Sequence, residues 1–452
     1  MKSLTTPLAG GAFAILVGAA SAAAQQRIAV VDLPAATSVT SETIGSVIGI
    51  RQLPDGRVLV DDGDRRQLRL FDNALAASSV VLDSSSGTTN SYGRRPSPLV
   101  AYLADSTLFP DYAARALLVI DPDGRVARTL ALPNPNDVGL VTRSASADSR
   151  GRLLYLGNRH SAPGEKPGEK RLDDSLPILR ADLDSRRTDT IAKVARPLAK
   201  AAIISPDGRS TVTVYLLDPL RTIDEWTMLS DGSIAVVRGH DYHIDWWRPD
   251  GAHSSGSKLP FDWKRIDDAN KQRIVDSAQA KLDKSLVDGT FMDNIGDIES
   301  IDVIRRSGNA PMTPPSGAGS GGRGGGGGDG RGGGAGGGLN LGFQGFVPAP
   351  REVIPLDQIA DYYPAIRSGA VTSDLDGNLW ILPTTSTQSQ KGELVYDVVN
   401  GKGELFERVR LPVGRLLVGF AKGGVIYMVA GDRASGFHLE RTALPQRAGS
   451  SR

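Results

Sequence analysis

The sequence predicts an all-β chain, a six-bladed β-propeller of four-stranded antiparallel blades closed by its own two ends. Three observations predict it. A unit of four short apolar runs recurs along the chain and is first readable over residues 45–82. The last copy, from Arg415 to Thr442, supplies only three runs. One unattached run, RIAVVDL at residues 27–33, stands ahead of the first full unit. Setting residues 28–33 beside residues 437–442 completes the short blade and removes both exposed sheet edges.

Within the first unit the runs are residues 47–50, 58–60, 68–71 and 80–82. Their period-two alternation and β-branched content read as an antiparallel meander. Leu53-Pro54-Asp55-Gly56-Arg57 joins the first two runs. Proline presets φ early in such a turn, and Gly56 takes the positive φ that closes it. The second unit runs from Leu99 to Leu132 around Asp121-Pro122-Asp123-Gly124, with Pro110 marking an edge or bulge in its second strand. A third spans residues 141–195, a fourth 225–260, a fifth 370–411 and a sixth 415–442. Residues 202–215 carry a further Pro-Asp-Gly turn. They form either a decorating hairpin or part of a seventh blade.

The first 24 residues read as a signal peptide. Lys2 supplies a positive start, residues 9–20 are apolar and small, and Ala22-Ala23-Ala24 offers a cleavage site. The expected product is periplasmic or secreted, with a propeller domain over residues 25–445 and a flexible tail over 446–452. Two insertions interrupt the blades. Ile274, Ala278, Leu282 and Leu286 recur every four residues with Val275 beside them, which predicts an amphipathic helix capped by Asp267 or Asp268 within an insertion at 264–287. It is expected to cover a face of its own domain. In residues 316–338, 16 of 23 positions are glycine, so ordering would cost backbone entropy and bury almost no side chain. The tract reads as a disordered loop.

Composition excludes several classes. Lys plus Arg number 52 against 51 for Asp plus Glu, which gives no broad positive field for nucleic acid. Zero cysteines rule out disulfides, cysteine–metal sites and thiol catalysis. No run beyond the leader reaches membrane-span length, so stable membrane insertion is not expected. GxSxG, HExxH and P-loop motifs are missing.

The repeated apolar–PDGR–apolar–aspartate pattern, with Asp62, Asp64, Arg66 and Phe71 after the first turn, resembles the NHL-type and TolB-like six-bladed propellers of exported bacterial proteins. Tyr363-Pro364-Ala365-Ile366, followed by Asp374-Leu375-Asp376-Gly377-Asn378-Leu379-Trp380, adds to the likeness. It covers most of residues 47–444, apart from the helix and the glycine tract. These are turn and strand signatures, so the resemblance implies a fold and no mechanism.

Propeller ligands commonly sit at one mouth of the central channel. The densest polar–aromatic cluster is the run from His240 to Trp247. Tyr242, Trp246 and Trp247 are candidate contacts for a ligand, with Arg367 beside the fifth inner strand. His240 and His243 are candidate metal ligands if a turned backbone brings their rings together. Asp62 and Asp64 lie in a calcium-like acidic run that lacks the spacing of a dedicated loop. Asp224 and Glu225 open the fourth inner strand. In lactonase-like six-bladed propellers, carboxylates from separate blades converge on a divalent ion, so a calcium-dependent hydrolase or lactonase is one reading. The other is a monomeric module that binds a protein, peptide or glycan. The motifs name no catalytic residue.

Overall fold

The structure, a computed structural model, describes residues 28–84, 91–93, 97–159, 174–204, 211–287, 352–387, 392–432 and 434–445. The leader, the glycine tract, the tail and His160 lie outside the described residues.

Six blades of antiparallel strands stand in a ring. Blade 1 comprises Val47–Gln52, Val58–Asp62, Gln67–Phe71 and Ser78–Asp83. Blade 2 comprises Val100–Ala101, Thr107–Asp111, Ala116–Ile120 and Val126–Leu130. Blade 3 comprises Ala145–Ala147, Leu153–Leu156, Ser175–Asp182 and Arg187–Ala195. Blade 4 comprises Glu225–Met228, Ile234–Arg238, His243–Trp247 and His253–Ser255. Blade 5 comprises Val371–Ser373, Leu379–Ile381, Val395–Val399 and Leu405–Arg410. Blade 6 draws Arg415–Ala421, Val425–Asp432 and Gly436–Ala443 from the C-terminal end and Ser38–Val39 from the N-terminal end.

The ring follows from how the apolar residues alternate. Each central strand is buried on both faces, and successive side chains point to opposite neighbours. Val58 and Val60 pack with Tyr427 and Val429 of blade 6, whereas Leu59 packs with Phe109 and Ile120 of blade 2. Leu153 and Tyr155 join blade 2, and Leu154 joins Trp226 and Val236 of blade 4. Ala235 and Val237 then face blade 5, whose Trp380 continues into Ile426 and Met428 of blade 6. Every blade is thereby glued to both of its neighbours, and a continuous core runs round the circle.

The repeated turns share one hydrogen-bond pattern. Leu53 N–H donates to Arg57 O at 2.8 Å and Gly56 N–H to Leu53 O at 2.9 Å, with Gly56 at φ +88°. The same pair of bonds recurs at Asp121–Arg125, Asp148–Arg152, Leu229–Ser233, Arg248–Ala252 and Asn400–Glu404. A glycine with positive φ at the fourth position is what that turn demands. Pro110 sits in the second strand of blade 2 without costing a ladder bond. The first strand there pairs only with Thr107 and Leu108, so the missing N–H meets no waiting acceptor.

Closure uses a different segment from the one the apolar pattern suggests. Val30–Asp32 adds to the outside of blade 5, parallel to Leu405–Arg410, with Val30 opposite Arg408. The polar link that follows closes the ring instead. Ser38 pairs with Arg441 and Val39 with Glu440, both antiparallel. Hydroxyls reinforce this short strand: Thr37 Oγ1 donates to Arg441 O, and Thr40 Oγ1 accepts from Leu439 N–H at 3.1 Å. A solvent-facing outer strand needs backbone partners more than apolar side chains, so hydrophobic periodicity points to the wrong run.

The hairpin and the long helix are decorations on the ring. Ala199–Ile204 and Thr211–Leu216 form a separate two-stranded hairpin, so the count is six blades rather than seven. Asp267 caps the long helix Asp268–Val287, its Oδ1 accepting from Asn270 N–H at 2.7 Å. The helix buries Ala278 and Leu282 against Leu217 and Leu220 beyond the hairpin and against Val353, Ile354 and Ile359 of a returning strap. This satellite core shows the helix covering its own chain.

Candidate functional site

Antiparallel blades sort their connections by face. The links between first and second strands, and between third and fourth, lie at one end of the ring, where the tight turns gather. Links between second and third strands, and from one blade to the next, lie at the other end. The hairpin, the long helix and the strap all occupy blade-to-blade links, so every one of them stands on that second, decorated face. They gather over blades 3 to 5.

Two ion-pair networks stiffen this mouth. Arg196, on the link from blade 3 to blade 4, pairs with Glu225 at the start of the fourth inner strand, and both side chains are buried. Its other terminal nitrogen, Nη1, reaches Ser368 Oγ on the link into blade 5 at 3.4 Å. Asp224 accepts from Ala195 N–H at 2.8 Å and Gly239 N–H at 3.2 Å, and from Arg238 Nη1 at 2.5 Å. Arg238 Nε donates in turn to Asp245 Oδ2 at 2.7 Å. Burial works against the charged form of Asp245, but hydrogen bonds from Ser255 and Arg238 outweigh it and hold the carboxyl below its ordinary range. Asp224 and Glu225 therefore serve as anchors between blades, with their acceptor positions engaged by arginine and backbone.

The His240–Trp247 cluster separates. His240 is exposed, whereas His243 Nδ1 lies 2.5 Å from Asp241 Oδ1 and its Nε2 lies 3.3 Å from Asp245 Oδ1. The two imidazoles are not brought together. Tyr242 is fully buried at φ +54°, and its hydroxyl donates to Asp397 Oδ2 of blade 5 at 2.7 Å. Trp246 is 2% exposed, in the core between blades 4 and 5, with the Arg248 guanidinium 4.9 Å from its ring. Trp247 faces blade 3 and stacks on His253 at 4.5 Å. Tyr242 and Trp246 thus pack as interior residues. Arg367 is half-buried on the link into blade 5.

Asp62 is buried at the end of the second strand of blade 1. It accepts from Gly45, Ser46 and Arg65 N–H groups at 3.0–3.2 Å, and Arg65 Nη1 lies 3.6 Å away. Asp64 is exposed, and its backbone N–H donates to Ser46 Oγ at 3.0 Å. Asp111 and Asp432 cap the equivalent turns in blades 2 and 6. The aspartate of the repeat is a turn-capping group whose short side chain satisfies N–H groups that the ladder leaves over. Among the described residues, no three His, Asp or Glu side chains are grouped to hold a metal ion. No helix among them is long and apolar enough to cross a membrane.

One feature of the decorated face escaped the sequence reading. Trp263 is 42% exposed, Tyr362 48% and Leu356 38%. Two bonds set the Trp263 segment beside the strap, Ile266 N–H to Asp361 O at 2.8 Å and Tyr363 N–H to Lys264 O at 3.1 Å. Arg265 lies opposite Tyr362 in this pairing. Trp263 rests edge-on against Phe261 at 4.8 Å, and Phe261 rests against Tyr242 at 5.5 Å. An aromatic relay thus runs from the core to the surface. Its signal in the chain was the Phe261–Trp263 alternation and the Tyr362-Tyr363 pair inside otherwise polar links.

The strand pairings and the closed ring define a six-bladed β-propeller. No protein-family model matches the sequence, and no curated protein matches it. Among solved structures, the chain is similar to a member of the duf4221 family from Bacteroides vulgatus at 10% identity and TM-score 0.41, covering 92% of this chain and 99% of that one. It is similar to the virginiamycin B lyase of Staphylococcus aureus at 11% identity and TM-score 0.36, covering 90% and 98%. A gluconolactonase from Xanthomonas campestris aligns at 10% identity and TM-score 0.34, covering 92% and 96%. The lyase and the gluconolactonase differ from each other in activity, and likeness at this level carries no argument about what this chain does.

Proposed function

We propose that this propeller is an exported binding module whose protein, peptide or glycan partner docks on the decorated face. The observation that supports it is the exposed pair Trp263 and Tyr362, mounted on a hydrogen-bonded ribbon, with exposed Leu356 on the strap and the satellite core behind. Rigid aromatic side chains offer large contact area and lose little conformational freedom on binding, which is why they dominate interface energetics. The ion pairs of Asp224 and Glu225 fit the same reading, because they fix the links that carry the patch.

The test is an oligosaccharide and peptide array probed with the full mature chain, repeated with Trp263→Ala and Tyr362→Ala. Binding lost in both variants, at unchanged melting temperature, supports the proposal. Binding that survives both substitutions overturns the location. Calcium-dependent ester hydrolysis abolished by Asp224→Asn but untouched by Trp263→Ala would replace it with the channel-hydrolase reading.

A further inference from the structure

A groove opens on the opposite, tight-turn face, between blades 3 and 4, and encloses about 140 Å³. Its rim is built by three of the repeated turns, Asp148–Arg152, Leu229–Ser233 and Arg248–Ala252. Four arginines line it, Arg150, Arg152, Arg180 and Arg248, against two aspartates, Asp148 and Asp231. The lining therefore carries two positive charges more than negative, on a chain whose net charge is only +1.

The arginines are unequally engaged. Arg152 is neutralised by Asp148, with its Nε and Nη2 both 2.7 Å from one carboxylate oxygen. Arg180 lies 3.6 Å from Asp189, whereas Arg248 turns its guanidinium toward blade 5, 4.9 Å from the Trp246 ring and donating to Gly401 O at 2.6 Å and Ser233 Oγ at 3.3 Å. Arg150 is exposed and makes no ion pair with another described residue. Guanidinium groups are planar, weakly hydrated forks that match carboxylates two bonds at a time. Below this cationic rim the floor is apolar, formed by Leu154, Ile191 and Ile234, with Trp247 beside them. Low-dielectric walls concentrate the field of the rim into the groove.

We infer that this groove binds a small organic polycarboxylate, its carboxylates on the Arg150 and Arg180 guanidiniums and its carbon skeleton on the apolar floor. The cationic rim selects for more than one negative charge. The floor selects against a fully hydrated inorganic anion, because covering the half-buried Ile191 and Trp247 rewards carbon. This site is independent of the aromatic patch on the other face.

Isothermal titration of the full mature chain with succinate, glutarate and citrate tests it, with phosphate and acetate as controls at matched ionic strength. Saturable one-to-one binding of at least one polycarboxylate is expected, at least tenfold tighter than phosphate. The double variant Arg150→Ala with Arg180→Ala should weaken it tenfold or more and leave the melting temperature of the free chain unchanged. Trp263→Ala should leave the binding intact. No saturable binding across the panel, equal binding of phosphate, or full binding by the double variant each overturns the proposal.

Discussion

The hydroxyl of Tyr242 donates to Asp397 Oδ2 at 2.7 Å across the interface of blades 4 and 5, at a depth where water does not reach. Arg408 Nε completes the site by donating to Asp397 Oδ1 at 2.8 Å. Burial drives both groups toward their neutral forms: the tyrosine is raised well above its usual range, and Asp397 is raised despite Arg408. Tyr242→Phe deletes one donor and leaves a buried acceptor short, which costs about 1–3 kcal/mol. Chemical denaturation of the variant should show that loss with an unchanged slope. A neutral result would remove this bond from the list of inter-blade clamps.

Asp61 gives the chain a pH dependence. Its side chain is wholly buried, with Oδ2 accepting from Ser97 N–H at 2.8 Å and Oδ1 left without a hydrogen-bond partner. Burial raises the carboxyl from 3.8 to about 7, against the Ser97 bond, and neighbouring Asp62 adds to the rise. A folded-state value above the unfolded one means that the folded chain binds the proton more tightly. The contribution is fully present below pH 4 and is lost as pH climbs through about 7. Its ceiling is about 4 kcal/mol. Asp61→Asn should flatten the stability profile between pH 4 and pH 8 and melt above the parent at pH 8. Parallel profiles for the two proteins would refute the assignment.

The two N-terminal segments should separate in a truncation series. A chain beginning at Leu33 loses the parallel strand Val30–Asp32 on the outside of blade 5 but keeps the closing strand. It should still unfold in one transition, melting roughly 2–4 °C lower. A chain beginning at Ser41 also loses Ser38–Val39 and exposes the edge of Gly436–Ala443. Loss of cooperative unfolding and concentration-dependent association are expected there. Equal behaviour of the two truncations would contradict the closure described.

The blades were legible because their causes are local. Turn glycines, alternating apolar residues and the three-run final unit all follow from short-range geometry, so most strand positions could be read along the chain. Six blades rather than seven was decided by the separate pairing of Ala199–Ile204 with Thr211–Leu216. The long helix and its Asp267 cap were legible for the same reason. The candidate site was not. Tyr242, Trp246 and Trp247 look alike in sequence as a polar–aromatic cluster, yet alternation sends Trp246 toward blade 5 and Trp247 toward blade 3. Asp224 and Glu225 are adjacent carboxylates in sequence, and their partners Arg238 and Arg196 come from elsewhere in the fold.

By itself, then, the sequence determined a repeating antiparallel unit, its copies, and a chain that must close on itself without cysteine. Those are consequences of φ preferences and side-chain period, which act over a few residues. Only the tertiary structure decided that Ser38–Val39 is the closing strand, that Trp263 and Tyr362 share the decorated face, and that Arg150 and Arg180 meet in one groove. Each depends on residues distant in sequence arriving at one place, and that is set by the curvature of the whole ring and by which face each link must cross.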